Sequence, residues 1–134
     1  MNSALAFLAR LLIASLFLVA GARKVLTFQG VAQMMAAKGF PSPEILLVLT
    51  IALELGGGLM LIFNWQAHIA AFALAAFTIV AGSIFHDFWS YLGGDAGQFS
   101  NQLNHFLKNL AIVGGLLHVA AARRVESVTS SIDA

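Results

Sequence analysis

Apolar residues along this chain gather in four long runs, Leu5 to Val25, Pro43 to Phe63, Ala67 to Phe85 and roughly Leu103 to Ala121, divided by short polar stretches. A helix rising about 1.5 Å per residue needs about 20 apolar residues to cross a hydrocarbon core about 30 Å thick, and each run is close to that length. The pattern predicts an all-α membrane protein, a bundle of four transmembrane helices. Between the first two runs, Phe28, Val31, Met34 and Met35 recur at helical spacing, and Gly39 followed by Pro41 stops the pattern. Thr27 to Lys38 is therefore expected to be a short amphipathic helix lying in the membrane interface. The second connection, around Asn64 to Gln66, is short enough to make the second and third helices antiparallel neighbours. The third, Ser90 to Asn101, carries Gly93, Gly94 and Gly97 and is expected to be irregular. Residues 1–122 thus make the membrane domain, and the polar, Ser-rich segment 123–134 reads as a disordered tail.

Composition strengthens the membrane reading. The 134 residues are 60% hydrophobic and only 10% charged, with a mean hydropathy of +0.88. A soluble domain of that size needs charge on its surface, whereas a lipid-facing surface is penalised for it. A net charge of +1 without a basic stripe argues against nucleic acid as a partner. The absence of cysteine removes disulfides, thiol relays, thiolate metal sites and covalent haem attachment. Leu11 to Ala20 resembles the core of a secretory signal, yet Arg10 interrupts it and the helical pattern continues through Val25, so a retained first span is expected. Arg23, Lys24, Lys38 and Lys108 stand against Arg10, Arg123 and Arg124 across the membrane, a count that does not decide orientation. Cytoplasmic termini are expected because Arg123 and Arg124 sit in an exposed tail whereas Lys24 and Lys108 can turn into the bundle.

Chemistry in such a chain must come from the few polar groups within or beside the spans. Glu54 lies about 16 Å from one end of the second span, where a carboxylate costs roughly 2.5 to 3.5 kcal/mol, so it should face the bundle interior and find a partner or a proton. Arg10, on the antiparallel first helix, is the expected partner because its planar fork suits a carboxylate. Such a pair either fixes helix register or lines a cavity that takes a small polar or quinone-like ligand. Gly56, Gly57, Gly58, Gly114 and Gly115 read as places of close helix approach. A second polar group gathers where His86, Asp87 and Trp89 end the third helix and His105, Lys108 and Asn109 open the fourth, with Lys24 at the same level. Cations, imidazoles and amides there suit an anionic or carbonyl-bearing ligand, while Trp89 and Tyr91 fit the role of interfacial anchors. The four histidines include the pairs His86 with His105 and His68 with His118, but none sits deep in a span and no ligand spacing falls on a single helix face, so neither haem nor a metal is expected. The ligand-binding candidates are Arg10, Lys24, Glu54, His86, Trp89, Lys108 and Asn109.

The Arg10 span with Phe17 and Gly21 to Lys24, the Gly39-Phe40-Pro41 stop, Glu54-Leu55-Gly56-Gly57-Gly58, Phe85-His86-Asp87-Phe88-Trp89, and Lys108-Asn109-Leu110-Ala111 with Gly114-Gly115 form one ordered pattern. Over about residues 5 to 122 it resembles the DoxX family of small bacterial inner-membrane proteins. That resemblance implies a four-helix inner-membrane protein, in a family named for similarity to a membrane subunit of a thiosulfate:quinone oxidoreductase. It also implies a soluble redox or sulfur-handling enzyme as a partner and quinone as the cofactor to consider. By position, Arg10, Lys24, Glu54, His86, Lys108 and Asn109 match the family's polar pattern. A non-catalytic scaffold in an envelope or stress-response complex is the alternative. Transport of a small solute is a third reading, for which a homo-oligomer would supply the walls that four helices lack.

Overall fold

The computed structural model describes residues 2–134, except for the side chains of residues 123–129. Its helices are α1 (Ser3–Leu26), α2 (Phe28–Ala37), α3 (Pro43–Ile62), α4 (Ala67–Phe85) and α5 (Ala96–Asp133), with a 3-10 turn at Phe88–Tyr91 between the last two. Four segments are long and apolar enough to cross a membrane: Ser3–Leu26, Pro43–Ile62, Ala67–Tyr91 and Ala96–Ala122. The fold is therefore the all-α, four-span architecture read from the hydrophobic pattern. The chain forms two compact units, Met1–Ala70 and Ala71–Ala134.

In the first unit α1 packs along α3, and α2 lies against α3. The closest approach of α1 and α3 is where glycines meet leucines. A Cβ placed on Gly21 would come within 2.8 Å of the Leu55 side chain, and one on Gly58 within 2.9 Å of Leu18 and 3.4 Å of the Ala14 carbonyl. Lipid tails are as apolar as leucine, so burying leucine brings little gain over leaving it in the bilayer; close backbone approach and dispersion hold such helices instead. Ala14, Gly21, Gly57, Gly58 and Glu54 are buried together with Phe17, Leu47 and Leu61, whereas Leu5, Leu12, Val19, Ile45 and Leu49 are exposed.

α2 turns Ala32 and Met35 inward, and its C-terminus gives way to Gly39 at φ +87, a backbone that side chains rarely adopt. It packs on α3 as well as being amphipathic, so the first connection is an ordered part of the unit. The α3–α4 connection is tight, with Asn64 and Gln66 both at positive φ.

In the second unit α5 begins earlier than the apolar run suggests. The Asp95 side chain accepts from the backbone N–H groups of Gly97 and Gln98, at 2.9 and 3.1 Å, and starts the helix inside the segment expected to be irregular. The helix then runs to Asp133, so the backbone of the polar segment expected as a disordered tail is helical. Residues 123–133 contain neither glycine nor proline to stop it. Arg123 and Arg124, used above to weigh orientation, fall among the side chains outside the described residues.

Candidate functional site

Glu54 is buried in the middle of α3, and its partner is Lys24. The Lys24 ammonium donates to both carboxylate oxygens, Oε1 and Oε2, each at 2.9 Å. Local geometry explains why a residue near the end of α1 reaches that depth. Helical side chains lean toward the helix N-terminus, so Lys24 reaches back one turn along α1 to the level of Gly21. A Cβ on Gly21 would lie 3.4 Å from the Glu54 Cβ, so the glycine sits directly against the carboxylate's own stem. The missing side chain at Gly21 brings the helices together where the pair forms. The Lys24 side chain remains 27% exposed while that of Glu54 is 4% exposed, so the carboxylate is the desolvated member.

Arg10 does not pair with Glu54, contrary to the expectation from sequence. Its Nε donates to the Leu61 carbonyl at 3.0 Å. The two helices are antiparallel, and as α1 runs from Arg10 through Leu18 and Gly21, its neighbours run back along α3 from Leu61 through Gly58 to Leu55 and Glu54. This register puts Arg10 opposite a residue about 10 Å of helix axis beyond Glu54. There the guanidinium caps the C-terminal end of α3, where carbonyl groups lack partners and the helix dipole favours a cation. Lys24, placed by sequence at the level of the His86 group, is the cation that pairs with Glu54.

That second polar group is built in the other unit, where α4 meets α5. His86 Nδ1 lies 2.9 Å from Gln102 Oε1, and the His86 ring stacks on His105 with centroids 4.8 Å apart and planes 18° from parallel. Beside it the Phe88 ring meets Trp89, Phe99 and Phe106 edge-on at 5.2, 6.0 and 5.2 Å, and Trp89 meets Phe106 at 5.9 Å. His86 and Phe88 are half-buried, while His105 and Trp89 are exposed. Asn109 lies against α4: a Cβ on Gly82 would sit 2.9 Å from its Nδ2. Lys108 is exposed. Gln102 was not anticipated. The signal was its place one turn before His105 and Phe106 on one face of an amphipathic helix start.

The first unit thus holds a committed ion pair, and the second holds an imidazole–amide–aromatic group. The DoxX family profile matches residues 5–87, which cover α1 to α4. The chain belongs to the DoxX family. It is 36% identical over 114 residues to the inner membrane protein YqjF of Escherichia coli (strain K12), spanning 84% of this chain and 78% of that protein. It is 27% identical over 116 residues to the inner membrane protein YphA of the same organism, spanning 87% of this chain and 81% of that protein. No solved structure matches it. This DoxX-family chain is accordingly a multi-pass inner-membrane protein, with four helices able to span the bilayer.

Proposed function

We propose that this DoxX-family protein is a redox-associated membrane subunit or accessory that binds a quinone-like or small sulfur or polar ligand where α4 meets α5 and works with a partner enzyme. The observation that supports this reading is His86. It is a half-buried imidazole with a fixed amide partner, stacked on a second imidazole beside a wall of Phe and Trp rings. Apolar packing alone would hold two membrane helices together there, and polar side chains near a span are a cost that a binding role accounts for. Trp89, Lys108 and Asn109 belong to this reading as ligand contacts, and Lys24, Glu54 and Arg10 as the frame that holds α1 to α3.

The test is titration of the purified protein in nanodiscs with a short-chain ubiquinone analogue. Saturable binding, weakened about tenfold by His86→Ala and by Trp89→Leu, is the expected result, each loss corresponding to about one aromatic ring contact. Failure of the wild-type protein to bind removes the reading. A second reading, a non-catalytic scaffold, draws support from the Lys24–Glu54 pair, in which both carboxylate oxygens are already used. It predicts a stoichiometric soluble partner after cross-linking, together with variants at Glu54 that lose thermal stability and no ligand affinity.

A further inference from the structure

The direction of one hydrogen bond limits what the α4–α5 site accepts. A carboxamide oxygen has lone pairs and no proton, so with Gln102 Oε1 at 2.9 Å the Nδ1 of His86 is the donor. In the neutral imidazole the proton then sits on Nδ1, and Nε2 presents a lone pair. Stacking on His105 holds the ring in plane, and Phe88, Trp89 and Phe106 pack edge-on against one another in the adjoining residues of the same two segments, so the surroundings are aromatic. We infer that His86 Nε2 is a hydrogen-bond acceptor site for the hydroxyl of a planar aromatic ligand, a phenol or hydroquinone, with Gln102 as the positioning residue that sets the tautomer. This deepens the ligand-binding reading above and rests on it for the existence of a ligand. It adds the ligand's chemistry: the site favours a ring that donates O–H over the same ring carrying a carbonyl or an ether.

Two measurements test this independently of whether quinone is the ligand. Long-range proton–nitrogen correlation spectra of histidine-labelled protein in nanodiscs report the His86 tautomer directly. The expected result is a protonated Nδ1 and a bare Nε2, shifting toward the opposite tautomer in Gln102→Lys, whose ammonium can only donate. A ring protonated on Nε2, or on both nitrogens, in the wild-type protein overturns the inference. The second measurement compares 4-pentylphenol with 4-pentylanisole, which differ by the hydroxyl proton, each read as the difference between wild type and His86→Phe to subtract partition into lipid. The phenol is expected to bind about tenfold tighter, the equilibrium factor of about one hydrogen bond. Gln102→Glu keeps an acceptor against Nδ1 and retains the preference, and Gln102→Leu loses it. Equal binding of the two probes also overturns the inference, whatever the ubiquinone titration gives. Absence of ubiquinone binding with the phenol preference intact removes the redox reading alone.

Discussion

Removing the Lys24 ammonium leaves the Glu54 carboxylate buried without a counter-charge, so Lys24→Met is expected to destabilise the protein by about 3 kcal/mol, the lower end for breaking a buried pair because Lys24 itself is only partly buried. Replacing both partners, Lys24→Met with Glu54→Leu, removes the charge along with its mate and should cost less than Lys24→Met alone. A double-mutant cycle read by unfolding in detergent separates the two cations. Lys24 and Glu54 are expected to couple by more than about 1 kcal/mol, whereas Arg10→Met and Glu54→Gln should add within about 0.5 kcal/mol, as distant sites do. Strong coupling of Arg10 to Glu54 would overturn the register described above. The existence of a buried Glu54 needing a cation was legible in the sequence, because its depth in an apolar run leaves few alternatives. The identity of the cation was not. Depth arithmetic treats side chains as points on an axis, while the pairing here depends on the backward lean of Lys24 and on the space that Gly21 leaves one turn away.

At the scale of elements, the α1–α3 contact depends on glycines that are not equivalent. Gly58→Ala drives a methyl to 2.9 Å from the Leu18 side chain, so Leu18 must move, and a loss of about 1 to 3 kcal/mol is expected. Gly56, two residues earlier, has nothing within 4 Å where a Cβ would stand. Gly56→Ala should therefore be neutral or stabilising by up to about 1 kcal/mol through helix propensity. Equal effects of the two substitutions would show that Gly58 does not mark the closest approach. The glycine run was readable as a packing signal, but which of its members faces α1 depends on helix rotation, which the near-uniform hydrophobicity of α3 does not encode. The start of α5 was readable in principle: Asp95 with Gln98 three residues on is a helix-start signature, masked by the glycines around it. Asp95→Ala is expected to cost about 1 kcal/mol and to fray the first turn of α5, seen as faster amide exchange at Gly97 and Gln98.

For the molecule as a whole, the bilayer sets the strongest constraint, and it is the reason the spans could be read so closely from the chain. Pro43 and Ala67 begin their helices where the apolar runs begin, since a polar turn cannot enter lipid with its backbone groups unpaired. The fourth span is the exception. Hydropathy marks only the part of α5 that fits the membrane, and a 38-residue helix, about 57 Å long, exceeds a hydrocarbon core about 30 Å thick. Four crossings also fix which connections share a side. The α1–α3 and α4–α5 connections must lie on one face of the membrane, and the α3–α4 turn with the N-terminus on the other. Because the chain has no cysteine, single substitutions give unambiguous labelling sites. Ala36→Cys and Gln98→Cys, both at exposed positions, are expected to react with a membrane-impermeant maleimide from the same side of oriented vesicles, and Trp65→Cys only from the opposite side. Labelling of Ala36→Cys and Trp65→Cys from one side would mean that α3 does not cross, and the buried Lys24–Glu54 pair would then sit at an interface, where water would supply most of what each charge now takes from the other.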